Sequence, residues 1–162
     1  MKGDPRVIQQ LNLCLKDQLT SINQLFLHAR MSKDWGLEEF NEHEYKDSIK
    51  AMKFADKIIE RILFLEALPN LQDLGKLLIG EDVPEIVKGD LDMLMELRSN
   101  MVETMKICED GRDYITRDML EHILEEIEEQ IDWRETQQWL IENTGLQNYL
   151  QSQTCLLYTS DA

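Results

Sequence analysis

The chain has 162 residues, with 32 Asp and Glu against 17 Lys and Arg, for a formal net charge of −15. That length suits one domain with a real core, and 43% hydrophobic against 30% charged content excludes a disordered chain. The acidity excludes a general nucleic-acid binder, which needs a basic face to displace phosphate counterions.

The N-terminal segment MKGDPRVIQQLN lacks the apolar run of a signal peptide. No stretch reaches the roughly 20 apolar residues of a membrane span. Both features predict a cytoplasmic protein. Cys14, Cys108 and Cys155 form neither a CxxC pair nor a disulfide framework, and each is expected to be a small buried hydrophobe.

Seven glycines and three prolines leave residues 6–35, 37–68, 90–110 and 112–144 free of both. Helices need such runs, because Gly costs about 1 kcal/mol and Pro about 3 in a helix interior. The first run carries Val7, Ile8, Leu11, Leu15, Leu19, Ile22, Phe26 and Ala29 at i, i+3/i+4 spacing. The second carries Ile49, Met52, Ala55, Ile59, Ile62 and Leu63. The third, with Gly89 inside it, carries Ile86, Val87, Leu91, Leu94, Leu97, Met101, Met105 and Cys108. The fourth carries Ile115, Met119, Ile123, Ile127 and Ile131.

Short links at Asp34-Trp35-Gly36 and Asp110-Gly111 predict two antiparallel hairpins of helices. The link from Leu68 to Pro84 is long enough to travel the height of a bundle, so helices two and three can run parallel. Asp82-Val83-Pro84-Glu85 reads as a helix start with Asp82 as N-cap. A short fifth helix is expected from Leu146. The fold class is therefore all-α, a ferritin-like four-helix bundle with one long crossover. On helix four, Asp118, His122, Glu125 and Glu129 recur opposite the Ile123/Ile127 stripe, as on a solvated face. Glu121, Glu126 and Glu128 extend that acidic run. Residues 155–162 abandon the helical pattern, and their back-translation resembles sequencing-adapter DNA. The domain is accordingly expected to span 1–154, with the tail an assembly artefact.

Several segments carry a closer resemblance: INQLFLHARM (22–31), ERILFLEALPNLQDLGKLLIGEDVPE (60–85), DYITRDM (113–119), IDW (131–133) and GLQNYLQ (145–151). Across about residues 1–153 they resemble bacterioferritin. The resemblance implies an iron-storing shell of twenty-four subunits, haem b shared between paired subunits, and a di-iron ferroxidase centre inside each bundle. Such a centre takes one Glu from each of two helices and an E-x-x-H pair from each of the other two. No E-x-x-H occurs in this chain. At the matching positions stand Gln18, Ala51, Phe54, Leu94, Ile127 and Gln130. Tyrosines expected near the centre are Leu25 and Ile58, and the inner-surface iron site is Lys46 and Lys50. The expectation is a catalytically silent subunit.

The same resemblance places Met52 at the position of the axial haem ligand, with Leu19, Ile22, Asn23, Phe26, Tyr45, Ile49 and Lys53 around it. A two-fold axis would supply two thioethers from one residue. Leu68, Pro69, Asn70, Leu71, Leu74, Glu81 and Glu85 match a docking surface for a bacterioferritin-associated ferredoxin. Asp34, Glu66, Asp132 and Thr136 match pore linings, and Asn148 and Gln151 a four-fold channel. The reading that follows is a haem-binding storage subunit co-assembling with a ferroxidase-active bacterioferritin subunit. A homo-oligomer oxidising iron slowly at surface carboxylates, with ferric mineral in its cavity, is one alternative. A purely structural or haem-sequestering cage is the other.

Overall fold

The computed structural model describes residues 1–155. Most of the tail predicted to be foreign, 156–162, lies outside the described residues. Five helices follow in order: α1 (Pro5–Asp34), α2 (Glu38–Phe64), α3 (Val83–Asp110), α4 (Tyr114–Thr144) and α5 (Leu146–Ser152). Among the described residues no helix is long and apolar enough to cross a membrane.

The ends are set by local chemistry. Asp4 caps α1 through Arg6 N (2.8 Å), and Asp82 Oδ1 caps α3 through Glu85 N (2.9 Å), as its sequence foretells. The Glu85 carboxylate reaches back to Glu81 N (2.8 Å), one residue before the cap. Gly36, with φ of 82°, makes the turn between α1 and α2. Between α3 and α4 the left-handed residue is Arg112 (φ 58°) rather than Gly111.

Side-chain pairs fix the directions of the helices. Phe26 meets Tyr45, and Gly3 N bonds Leu65 O, so α1 and α2 are antiparallel. Asp17 pairs with Asn100, and His28 with Asp90, so α3 also runs against α1 and parallel to α2. The segment joining α2 to α3 covers the bundle's length, as its length predicts. Gly89 lies inside α3 because a Cβ there would meet Leu78 O of this segment at 2.6 Å.

The central core comprises Val7, Leu11, Leu15, Leu25, Phe54, Ile58, Ile62, Leu94, Leu97, Met101, Ile123 and Ile127, among others. A second cluster (Leu37, Phe40, Val83, Ile86, Val87 and Tyr149) seats α5 at one end. Two expectations, the apolar stripes and the buried cysteines, need correction. Phe26, Met52, Leu63 and Ile115 lie on apolar stripes, yet they are exposed and leave the inward faces to their neighbours. Several inward positions near the α5 end hold polar groups instead (Gln24, His28, Glu44, Asp90 and Arg134). Cys155 is exposed, whereas burial pushes the Cys14 and Cys108 thiols up to about 12 and keeps them unreactive.

Candidate functional site

The six positions matched to di-iron ligands all lie inside the bundle, none more than 4% exposed. Phe54, Leu94 and Ile127 belong to the central apolar cluster, Ala51 is buried, and none of the four side chains offers a donor atom. Gln18 and Gln130 are neutral amides. Among the described residues, neither amide atom of Gln18, nor the nitrogen of Gln130, has a hydrogen-bond partner. This donor set does not fit two iron ions. Iron's charge would be buried with no anionic ligand, at a large desolvation cost. Leu25 and Ile58 are fully buried as core. Lys46 pairs with Glu42 at 3.8 Å on the surface, and Lys50 is half-buried beside it.

The residues matched to a haem site occupy a different face, where α1 and α2 meet. Met52 is 53% exposed and Phe26 45%. Leu19, Ile22, Tyr45 and Ile49 are half-buried, and Asn23 and Lys53 are exposed. The Phe26 and Tyr45 rings stand 6.3 Å apart, and the Arg30 guanidinium lies over both, 5.2 and 4.8 Å from their centroids. The thioether, a soft donor, thus sits on an uncovered apolar surface. Its chemistry and surroundings fit a flat, apolar, iron-bearing group.

The remaining sequence candidates are all at the surface. Asp34 ends α1 and Glu66 follows α2, so within one chain they stand at opposite ends of the bundle. Glu66 is 3.1 Å from the terminal amine. Asp132 and Thr136 are one turn apart on α4, and Asn148 and Gln151 share a face of α5. All six are exposed. In the crossover segment Leu68 is 84% exposed, and Leu71 and Leu74 are also uncovered. Pro69 is half-buried. Asn70 instead folds the segment on itself, its Oδ1 accepting from Gln72 N and Asp73 N at 3.0 and 3.2 Å. Glu85 is the cap partner described above, and Glu81 is exposed beside it. The acidic residues of α4 are solvated, with Glu128 paired to Arg98 at 2.9 Å.

Sequence reasoning missed a charged cluster buried near α5. Asp90 Oδ1 accepts from His28 Nδ1 (2.8 Å) and Gln24 Nε2 (3.0 Å). His28 Nε2 in turn accepts from Gly80 N at 3.0 Å, and Gln24 Oε1 accepts from Leu78 N at 2.9 Å. The crossover segment is thereby tied to α1 and α3. Arg134, fully buried on α4, donates to Asp47 Oδ2 and to Gln130 O, and lies 3.4 Å from Glu44 Oε1 and 3.9 Å from Asp90 Oδ2. The available signal was periodic. His28, Glu44, Asp90 and Arg134 fall on the same heptad-like rows as the core residues of their helices.

The ferritin-like domain pattern matches residues 8–144. A bacterial ferritin of Synechocystis sp. (strain PCC 6803) is 45% identical over 157 residues, covering 94% of this chain and 99% of the relative. Bacterioferritins of Brucella melitensis and Mycobacterium avium are each 38% identical over 149 residues. They span 92% of this chain and 92% and 94% of their own lengths. With a bundle of the right topology and relatives matching end to end, the chain belongs to the ferritin-like family, among the bacterioferritins.

Proposed function

We propose that this chain is a haem-binding, catalytically silent subunit of a cytoplasmic iron-storage shell of twenty-four subunits. The observation that carries it is a contrast: the di-iron positions are packed as core, while the Met52 thioether stands uncovered. Ferrous iron is then oxidised at a partner bacterioferritin subunit that keeps the metal ligands. This chain supplies wall, acidic inner or pore surface, and the haem site.

In that reading two copies pair through the α1/α2 face, each presenting Met52. Leu19, Ile22, Phe26, Tyr45 and Ile49 exclude water from a bound tetrapyrrole, and Asn23 and Lys53 flank it. When bound, haem supplies one-electron transfer. The uncovered Leu68, Leu71 and Leu74, with Glu81 and Glu85 nearby, give a bacterioferritin-associated ferredoxin an apolar surface with an acidic border. Asp34, Glu66, Asp132 and Thr136, with Asn148 and Gln151, line passages for cations where several subunits meet. The exposed acidic face of α4 favours one second reading: a homo-oligomer in which these carboxylates collect iron and oxidation is slow.

Stopped-flow oxidation of ferrous iron by the purified protein separates the readings. The expected result is no fast phase; rapid, saturable turnover at two irons per subunit overturns the silent-subunit reading. Visible absorption tests the haem. Reconstituted protein should show a low-spin band that Met52→Leu abolishes without changing the assembly. An unchanged band in that variant removes Met52 from the site.

A further inference from the structure

Among the described residues, three buried oxygens in the charged cluster receive no hydrogen bond from any nitrogen or hydroxyl. They are both carboxylate oxygens of Glu44 and Oδ2 of Asp90. Arg134 lies near them, and its hydrogen bonds go to Asp47 and to a backbone carbonyl, while its Nε and Nη2, which face Asp90 and Glu44, make none among the described residues. One ligand-capable atom each of His28, Glu44 and Asp90 falls within 4.8 Å of the others. Buried oxygens this close need a positive charge or a proton between them.

A divalent cation suits this place poorly. Both ring nitrogens of His28 are already engaged, Nδ1 donating to Asp90 and Nε2 accepting from Gly80 N, so no imidazole lone pair is free. The Arg134 guanidinium stands 3.4 and 3.9 Å from the same carboxyl groups, where it would repel a second cation. A proton meets neither objection. Placed on Glu44, it turns one orphaned oxygen into an O–H donor toward Asp90 and relieves the repulsion between the two acids.

We propose that Glu44 and Asp90 hold one proton between them in the folded chain. Losing it at alkaline pH loosens the bundle end where the crossover segment and α5 dock.

Every element at this end faces the pair. His28 comes from α1, Asp47 from α2, Arg134 from α4 and Tyr149 from α5, with His43 of α2 behind Asp47 and Arg134. The crossover contributes the N–H groups of Leu78 and Gly80. Burial, then the Asp90 charge, holds the Glu44 carboxyl well above the ordinary glutamate range, with Arg134 opposing. Burial alone would raise Asp90 too. Hydrogen bonds from His28 and Glu44 and the Arg134 charge outweigh it and hold Asp90 below the ordinary range. Removing the proton sets Glu44, Asp90 and Asp47 against one guanidinium. Asp90 is also the anchor for Gln24 and His28, the side chains that hold the crossover at Leu78 and Gly80. Burial, with the Glu44 charge, likewise raises the Tyr149 phenol, whose hydroxyl donates to Gln137 Oε1 (2.6 Å) and seats α5.

The sign of the linkage follows. Glu44 binds its proton more tightly folded than unfolded. Its stabilisation is complete below the ordinary glutamate range and is lost as pH rises toward the folded value. Across that interval the folded-to-unfolded ratio should fall about tenfold per pH unit for one proton.

Infrared spectroscopy of the assembled full chain is the direct test. At neutral pH it should show the C=O stretch of a buried protonated carboxylic acid, shifted in deuterated water and missing in Glu44→Gln. Denaturant unfolding followed from acidic to alkaline pH should lose its one-proton slope in that variant. Absence of the acid band in the wild-type protein at neutral pH overturns the proposal, as does an unchanged slope. If Glu44→Gln does not fold, an alkaline titration of the wild-type protein still decides. Loss of the acid band must coincide with a change in the fluorescence of Trp133, which packs against Phe40 at this end. Fluorescence that changes while the band persists sinks the idea. Stabilisation by added Mn²⁺ with no acid band would replace the proton by a metal ion and also overturn it.

Discussion

The middle of the bundle and its α5 end are built on the same four helices, yet they treat polarity in opposite ways. In the middle, Ala51, Phe54, Leu94 and Ile127 fill the interior with hydrocarbon and strand the Gln18 and Gln130 amides there. At the end, one guanidinium, three carboxyl groups and an imidazole are interlocked with backbone N–H groups of the crossover. The difference shows what a bundle needs to bury charge: a set of partners supplied by every helix at once. The end draws partners from all four long helices, and the proposed proton completes the set between Glu44 and Asp90. The middle, where a metal centre would need the same, has no such set.

The strongest way to break this comparison is Arg134→Met. Removing the one cation leaves Asp47, Asp90 and Glu44 facing one another in a buried site. The expected loss is about 3–5 kcal/mol, measured by denaturant unfolding at neutral pH. The crossover should come loose with it, seen as faster hydrogen exchange at Leu78 and Gly80. A loss under about 1 kcal/mol would mean that water already screens the cluster and that the two regions differ little.

Gln18→Met probes the middle and should have the opposite sign. Both amide atoms of Gln18 lack partners among the described residues, and an unsatisfied buried group costs about 1–3 kcal/mol. An unbranched apolar side chain of similar volume removes that cost, so the variant should be more stable by an amount in that range. Destabilisation instead would show that the amide is bound to something, and the middle would cease to be a purely apolar solution.

The sequence makes the two regions unequally legible. Helix positions, the Asp82 cap and the parallel α2/α3 arrangement follow from glycine and proline placement and from link lengths, which are local signals. The apolar middle is equally readable, because Leu94 and Ile127 continue the stripes of their helices. The charged end is not. Successive members lie 16 to 46 positions apart in sequence (His28, Glu44, Asp90, Arg134), and each looks like a surface residue until the others are placed around it. Phe26 and Met52 show the converse: as members of an apolar stripe they read as core, yet each is exposed on a face uncovered within one chain. Periodicity identifies an apolar row but not which of two neighbouring faces is packed. That choice depends on how far each helix is rotated about its own axis.

The smallest expected effect comes from a polar contact at the α5 end but outside its buried cluster. Asp82 Oδ1 accepts from Glu85 N at 2.9 Å in solvent, at the start of α3 and a short distance along the chain from Asp90. Asp82→Ala removes a hydrogen bond much like those inside the charged cluster, but water can satisfy the freed N–H. The expected loss is about 1 kcal/mol, and Asp82→Asn should recover most of it. Measured beside Arg134→Met under the same conditions, this variant separates two explanations of the polar end. If stability follows the number of hydrogen bonds, the two losses should be comparable. If it follows burial, Arg134→Met should cost several times more, because no water replaces the charge it removes. A ratio near one would place the strength of the α5 end in its contacts rather than in its isolation from solvent.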